Sequence, residues 1–180
     1  MRKLANEELG RLDIPSFKSA GKNRVTVVLD NVRSLNNIGS IFRSCDAFLV
    51  EKLILCGIST PPPHRDIHKS ALGAELSVDW QYLEQATDAV VSLKEQGYNV
   101  LAIEQTTGSI SLKQVGSSLS PPQTKGSPIA IVLGHEIRGV SQEVVDLCDA
   151  SVEIPQHGTK HSLNVAVAAG IVLWELIGSV

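Results

Sequence analysis

The chain has 180 residues, 43% of them hydrophobic but only 4% aromatic, and a net charge of −3. This suffices for one compact domain with a core of Val, Leu, Ile and Ala, and the mild acidity argues against an avid, non-specific nucleic-acid binder. No run reaches the roughly 20 apolar residues of a membrane span, and no apolar segment follows the basic start as in a secretory signal. Cys45, Cys56 and Cys148 form neither a CxxC pair nor a disulfide framework, so free thiols in a reducing cytoplasm are expected.

Residues 1–24 carry six Lys/Arg against three acidic residues and are expected to form a basic helical arm. A single compact domain, 25–180, is expected to follow it. VTVVLD (25–30) is short and β-branched and reads as a buried strand. A helix capped by Asn36 or Asn37 is then predicted to run to about Phe48, followed by a strand at KLILC (52–56). Pro61, Pro62 and Pro63 break the chain before a helix near 64–72. A helix from Leu83 to about Gln96 is predicted to end at Gly97, and YNVLAIE (98–104) reads as the next strand.

Residues 105–127, rich in Gly, Ser, Thr, Pro and Gln, read as one long loop, and loops of that length tend to be functional. PIAIVLG (128–134) and ASVEIP (150–155) are the last strands, with a short helix near 140–147 between them. Strands alternating with helices imply an α/β fold, a parallel sheet covered on both faces. The segment Leu163 to Ile177 is apolar on nearly every face, with Glu175 its only charge. A helix of that kind needs cover all round, which a homodimer interface supplies most simply; a core helix of a monomer is the other reading.

Three polar clusters interrupt this plan, each after a predicted strand, where ligands of open α/β sheets collect. In the first, Asn37 and Gly39 start a helix and Arg43 follows among apolar neighbours. Taken singly, Asn37 is explained by capping and Arg43 by surface exposure. In the second, Gly134 and Gly139 bound a loop carrying Glu136. Their spacing matches a phosphate-binding loop, but the required Lys is missing, and no G-x-G supports a dinucleotide site. In the third, Pro155 ends a strand, Gly158 permits a turn, Ser162 caps the terminal helix and Asn164 falls in its first turn, which suggests a bonding duty elsewhere. His157 and His161, like His64 and His68, are four apart, but no third ligand is visible, so no metal site is expected.

Together the clusters resemble the signature motifs of the SpoU (TrmH-like) branch of the SPOUT RNA methyltransferases. They give N-x-G-x-x-x-R as Asn37, Gly39 and Arg43, then G-x-E-x-x-G as Gly134, Glu136 and Gly139. Last comes I-P then S-L-N-V-A, as Ile154, Pro155 and Ser162 to Ala166, while KSALGAE (69–75) is similar to an internal segment of the family. The chain departs from common members at Leu49 (often Gly), His135 (often Asn) and Gln156 (often Met).

The resemblance implies a parallel α/β sheet with a C-terminal deep trefoil knot, a dimer with its site near the subunit interface, and S-adenosyl-L-methionine as cofactor. It implies methyl transfer to a ribose 2′-hydroxyl of tRNA or rRNA. Arg43, Asn37, Glu136, Ser162 and Asn164 are implied as the catalytic set, and Gly134, Ile154, Leu163, Leu133 and Thr106 as the cofactor pocket. On the same resemblance Asn37, Glu136, Ser162 and Asn164 would orient Arg43 and the ribose, with a Glu136–Arg43 pair left open by the sequence, and a Val side chain at Gly134 is expected to fill the pocket. A silent RNA-binding homologue of the same fold is the alternative.

Overall fold

The computed structural model describes residues 1–115 and 128–178. In chain order these form α1 (Ile14–Ser19), β1 (Asn23–Asp30), α2 (Leu35–Ala47), β2 (Val50–Cys56), α3 (Arg65–Ala71), α4 (Ala74–Ser77) and β3 (Trp80–Leu83). There follow α5 (Ala86–Glu95), β4 (Asn99–Ile103), β5 (Ile110–Ser111), β6 (Ile129–Gly134), α6 (Gln142–Leu147), β7 (Ala150–Glu153) and α7 (Val165–Leu173). The strands make one sheet in the order β3-β2-β1-β6-β4-β7-β5, with every neighbouring pair parallel.

Alternation along the strands divides the core into two layers. Val25, Val27 and Leu29 of β1, with Ile129, Ile131 and Leu133 of β6, face a layer that contains Ile38, Ile41 and Phe42 of α2, Ile67 of α3 and Ala169, Val172 and Leu173 of α7. Val28, Ala130 and Val132 point the other way, onto Ala89, Val90 and Leu93 of α5 and Val144 of α6. Both faces are therefore covered, as the β-branched runs require. Gly39 lets α2 and α3 meet closely: a Cβ there would lie 2.5 Å from the Ile67 carbonyl oxygen. The basic arm is anchored through α1, whose Phe17 is buried in the first layer, while residues 1–16 are exposed.

Several sequence-based expectations need correction. Ser34, not Asn36 or Asn37, caps α2, its hydroxyl accepting from the Asn37 N–H. The helix predicted over 83–96 begins only at Ala86, and Leu83 instead ends β3, a short, largely exposed edge strand with no apolar alternation to read. The loop predicted over 105–127 contains β5 and a single helical turn at Leu112–Gln114, while its remainder, 116–127, lies outside the described residues. Asn164, not Ser162, caps α7. Val167, Ile171 and Trp174, one face of the apolar C-terminal segment, are exposed in the protomer. No helix among the described residues is long and apolar enough to cross a membrane.

Candidate active site

Parallel strands deliver their carboxyl ends to one edge of the sheet, and Asp30 of β1 pairs in register with Gly134 of β6. The loops after these two strands must therefore meet. The buried Asp30 carboxylate fixes the far end of the β6 loop by accepting from the Ser141 N–H and hydroxyl, each at 2.8 Å. Within that loop His135 and Gly139 exchange backbone hydrogen bonds of 3.0 and 2.8 Å. The loop folds back so tightly that a Cβ on Gly134 would lie 2.1 Å from the Val140 nitrogen. Gly139 itself is in the left-handed region, at φ +70°.

This fold-back turns Glu136 toward the start of α2. Its Oε1 accepts from the Ser34 N–H at 2.9 Å and the Asn37 amide at 3.0 Å, and its Oε2 from the Arg33 N–H at 3.1 Å. Burial opposes the charge of Glu136, but these backbone and amide donors outweigh it and hold the carboxyl below its ordinary value. Because Ser34 does the capping, the Asn37 side chain is free to bridge: its Oδ1 accepts from Asn164 Nδ2 at 3.1 Å. Asn164 Oδ1 in turn accepts from the Ala166 and Val167 N–H groups at the start of α7. Three residues from three separate clusters thus form one chain, Glu136–Asn37–Asn164.

Beside this chain lies a cavity of about 490 Å³ between the ends of β4, β6 and β7 and the start of α7. Leu133, Gly134, Ile154 and Leu163 line it, as do Glu136, Ser162 and Asn164. Thr106 is not among the lining residues; its hydroxyl is 2.8 Å from that of Ser151. Asn37 sits behind Glu136. Sequence reasoning missed Glu104 and Gln105, which stand at the end of β4 and also line the cavity. The signal was partial, since Glu104 ends the predicted strand 98–104 and Gln105 follows it, where ligands of such sheets collect, but nothing in the sequence shows what they reach.

Arg43 is placed elsewhere. Six residues along α2 turn it about 120° from Asn37, and it lines a second hollow of about 660 Å³ with Arg11, Leu12 and Phe17 of the arm and Leu72 and Ser77. It makes no hydrogen bond or ion pair with another described residue, and the pairing with Glu136 is replaced by the Asn37 contact. Among the described residues no group of three His, Cys, Asp or Glu side chains is arranged to hold a metal ion.

The sequence matches the SpoU rRNA Methylase family over residues 24–174. It is 30% identical over 155 residues to the tRNA (guanosine(18)-2'-O)-methyltransferase of Aquifex aeolicus, covering 83% of this chain and 66% of that one. It is 30% identical over 173 residues to the 23S rRNA (guanosine-2'-O-)-methyltransferase RlmB of Vibrio parahaemolyticus, covering 95% and 66%. The fold superposes on the crystal structure of the A. aeolicus TrmH/SpoU tRNA modifying enzyme with a TM-score of 0.78 at 25% identity, over 92% of this chain and 79% of that one. The AdoMet complex of the SpoU methyltransferase AviRb from Streptomyces viridochromogenes gives 0.75 at 25%, over 91% and 63%. The chain spans 60% to 66% of the length of the Aquifex and Staphylococcus relatives. With most of its length matched, the chain belongs to the SpoU rRNA Methylase family.

Proposed function

We propose that the chain transfers a methyl group from S-adenosyl-L-methionine to a ribose 2′-hydroxyl of tRNA or rRNA. The observation that carries this reading is the Glu136–Asn37–Asn164 chain at the rim of a partly apolar cavity, built from all three family motifs. The cavity suits the cofactor in size and lining. Leu133, Ile154 and Leu163 offer an apolar slot for a purine, and Glu153 and Gln156 offer polar partners for a ribose and an amino acid tail.

When bound, the cofactor supplies a methyl group activated on a sulfonium sulfur. The protein's share is to orient the ribose and manage one proton. Asn37 and Asn164, fixed by Glu136 and by the α7 N–H groups, hold the site rigid, and the exposed Ser162 hydroxyl is available to the ribose. A guanidinium keeps its proton at any ordinary pH, so Arg43 is not the base. Its charge holds an RNA phosphate and favours the developing alkoxide, and the hydroxyl proton leaves to that phosphate or to water.

Arg43 and the cavity lie in different hollows of one protomer, and we take a second copy of the chain to bring them together. Val167, Ile171 and Trp174 are spaced to make one apolar stripe for such a contact. Residues 1–24 then act as a basic arm on the domain formed by 25–180, adding Arg11 beside Arg43 for the RNA backbone. On the family likeness we also take the C-terminal segment to be threaded as a trefoil knot, and the protein to work in the cytoplasm.

The test is methyl transfer from labelled cofactor to tRNA and rRNA fractions of a strain lacking the gene, followed by nucleoside analysis. A 2′-O-methylated nucleoside in one fraction is the expected result. Cofactor binding without label in either fraction would favour the silent RNA-binding homologue.

A further inference from the structure

The walls of the cavity belong to loops that are far apart in sequence, and two adjacent residues fasten both. Glu104 Oε2 accepts from the Val140 N–H at 3.0 Å, and its Oε1 accepts from the Gln105 N–H at 2.9 Å. The carboxylate presses on the β6 loop so closely that a Cβ on Gly139 would sit 2.0 Å from Oε2. Gln105 reaches the other wall, Nε2 donating to the His161 carbonyl oxygen at 2.8 Å. Consecutive residues leaving a strand project to opposite sides, which is how one dipeptide serves two walls.

We infer that Glu104 and Gln105 are the positioning residues that set the width of this cavity, Glu104 holding the loop 134–140 and Gln105 the loop before α7. The inference rests on the cavity being the cofactor site. Within one protomer Arg43 lines a separate hollow that shares no residue with the cavity, so loss of the pair falls on cofactor affinity far more than on the phosphate contacts that retain RNA.

The experiment uses the full chain and measures S-adenosylhomocysteine binding by calorimetry, RNA binding by filter retention with unmodified tRNA transcript, and thermal melting without ligand. Glu104→Ala is expected to weaken cofactor binding about tenfold and Gln105→Ala about threefold, the scale of a lost polar contact at a binding site. RNA binding is expected to fall much less than cofactor binding in both. Glu104→Gln retains an oxygen that can accept from Val140 and is expected to recover most of the loss. Gly139→Ala is expected to cost less cofactor affinity in the Glu104→Ala background than in the unaltered chain, because the clash has gone. Cofactor binding by Glu104→Ala equal to that of the unaltered chain would overturn the inference alone. So would a parallel loss of cofactor binding, RNA binding and melting temperature, or a Glu104→Gln variant as weak as Glu104→Ala. No cofactor binding by the unaltered chain would overturn the reading beneath it as well.

Discussion

Asn164 is bonded at both ends of its amide: Oδ1 accepts from the Ala166 N–H at 2.9 Å, while Nδ2 donates to Asn37 Oδ1 at 3.1 Å. One residue therefore starts α7 and closes the chain that leads to Glu136. The two duties can be separated by substitution. Asn164→Asp keeps an oxygen for the cap, removes the donor and sets a negative charge against Asn37. Asn164→Ala loses the cap as well, at about 1 kcal/mol. We expect Asn164→Asp to melt close to the unaltered chain yet lose most methyl transfer, and Asn164→Ala to lose both stability and transfer. Full transfer by the Asp variant would show that the link to Asn37 is dispensable.

The carboxyl of Glu136 titrates with a known sign. Burial raises its pKa, but the Ser34, Arg33 and Asn37 donors bring the net value below the ordinary 4.5. A group whose folded value is depressed adds stability that is present above its unfolded value and lost as pH falls through the folded one. Denaturant melts of the unaltered chain and of Glu136→Gln should differ most at neutral pH and converge below pH 4.5. A gap that stays constant down to acid would mean that the carboxylate charge contributes nothing to the loop contact.

Arg43 provides a test of the second copy. Arg43→Ala alone should abolish transfer and leave cofactor affinity nearly intact, because Arg43 does not line the cavity. Arg43→Ala and Asn164→Asp chains can then be co-expressed and the mixed dimers purified through two different tags. If Arg43 serves the partner's cavity, one of the two sites in each mixed dimer carries both lesions and the other is intact. Transfer should then return, although each parent is inactive. Inactive mixed dimers would place Arg43 in the site of its own protomer.

The sheet was legible because parallel strands buried on both faces must be short apolar runs, and 25–30, 52–56 and 128–134 are such runs. β3 was not, because Trp80, Gln81 and Tyr82 lie exposed at an edge and carry no buried alternation. At the site, residue types and order pointed to Asn37, Glu136 and Asn164, but not to which one bonds which. The caps show why. Asn and Ser cap equally well, so the sequence around 34–37 does not decide which residue turns back to the helix and which is left for Glu136. Glu104 and Gln105 were hidden for a related reason. Their importance lies in reaching Val140 and His161, contacts that exist only once the loops have folded together.

Gly134 shows how the folded loop changes an expectation formed on sequence. A side chain there was expected to act by filling the cofactor pocket. The obstruction lies instead in the protein's own backbone, where a Cβ would come within 2.1 Å of the Gly139 carbonyl carbon and of the Val140 nitrogen. Backbone cannot swing aside as a flexible side chain can, so the loop 134–140 must move as a unit. That movement would pull Val140 from Glu104 and Glu136 from Asn37, contacts the loop now makes at 3.0 Å each. Even Gly134→Ala is therefore expected to lower stability by about 1–3 kcal/mol, the usual cost of overpacking, and to weaken cofactor binding and transfer together. Gly134→Val should be little worse, since the first carbon does the damage. A mild Ala variant beside a severe Val variant, in melting and in cofactor calorimetry, would restore the pocket-filling explanation.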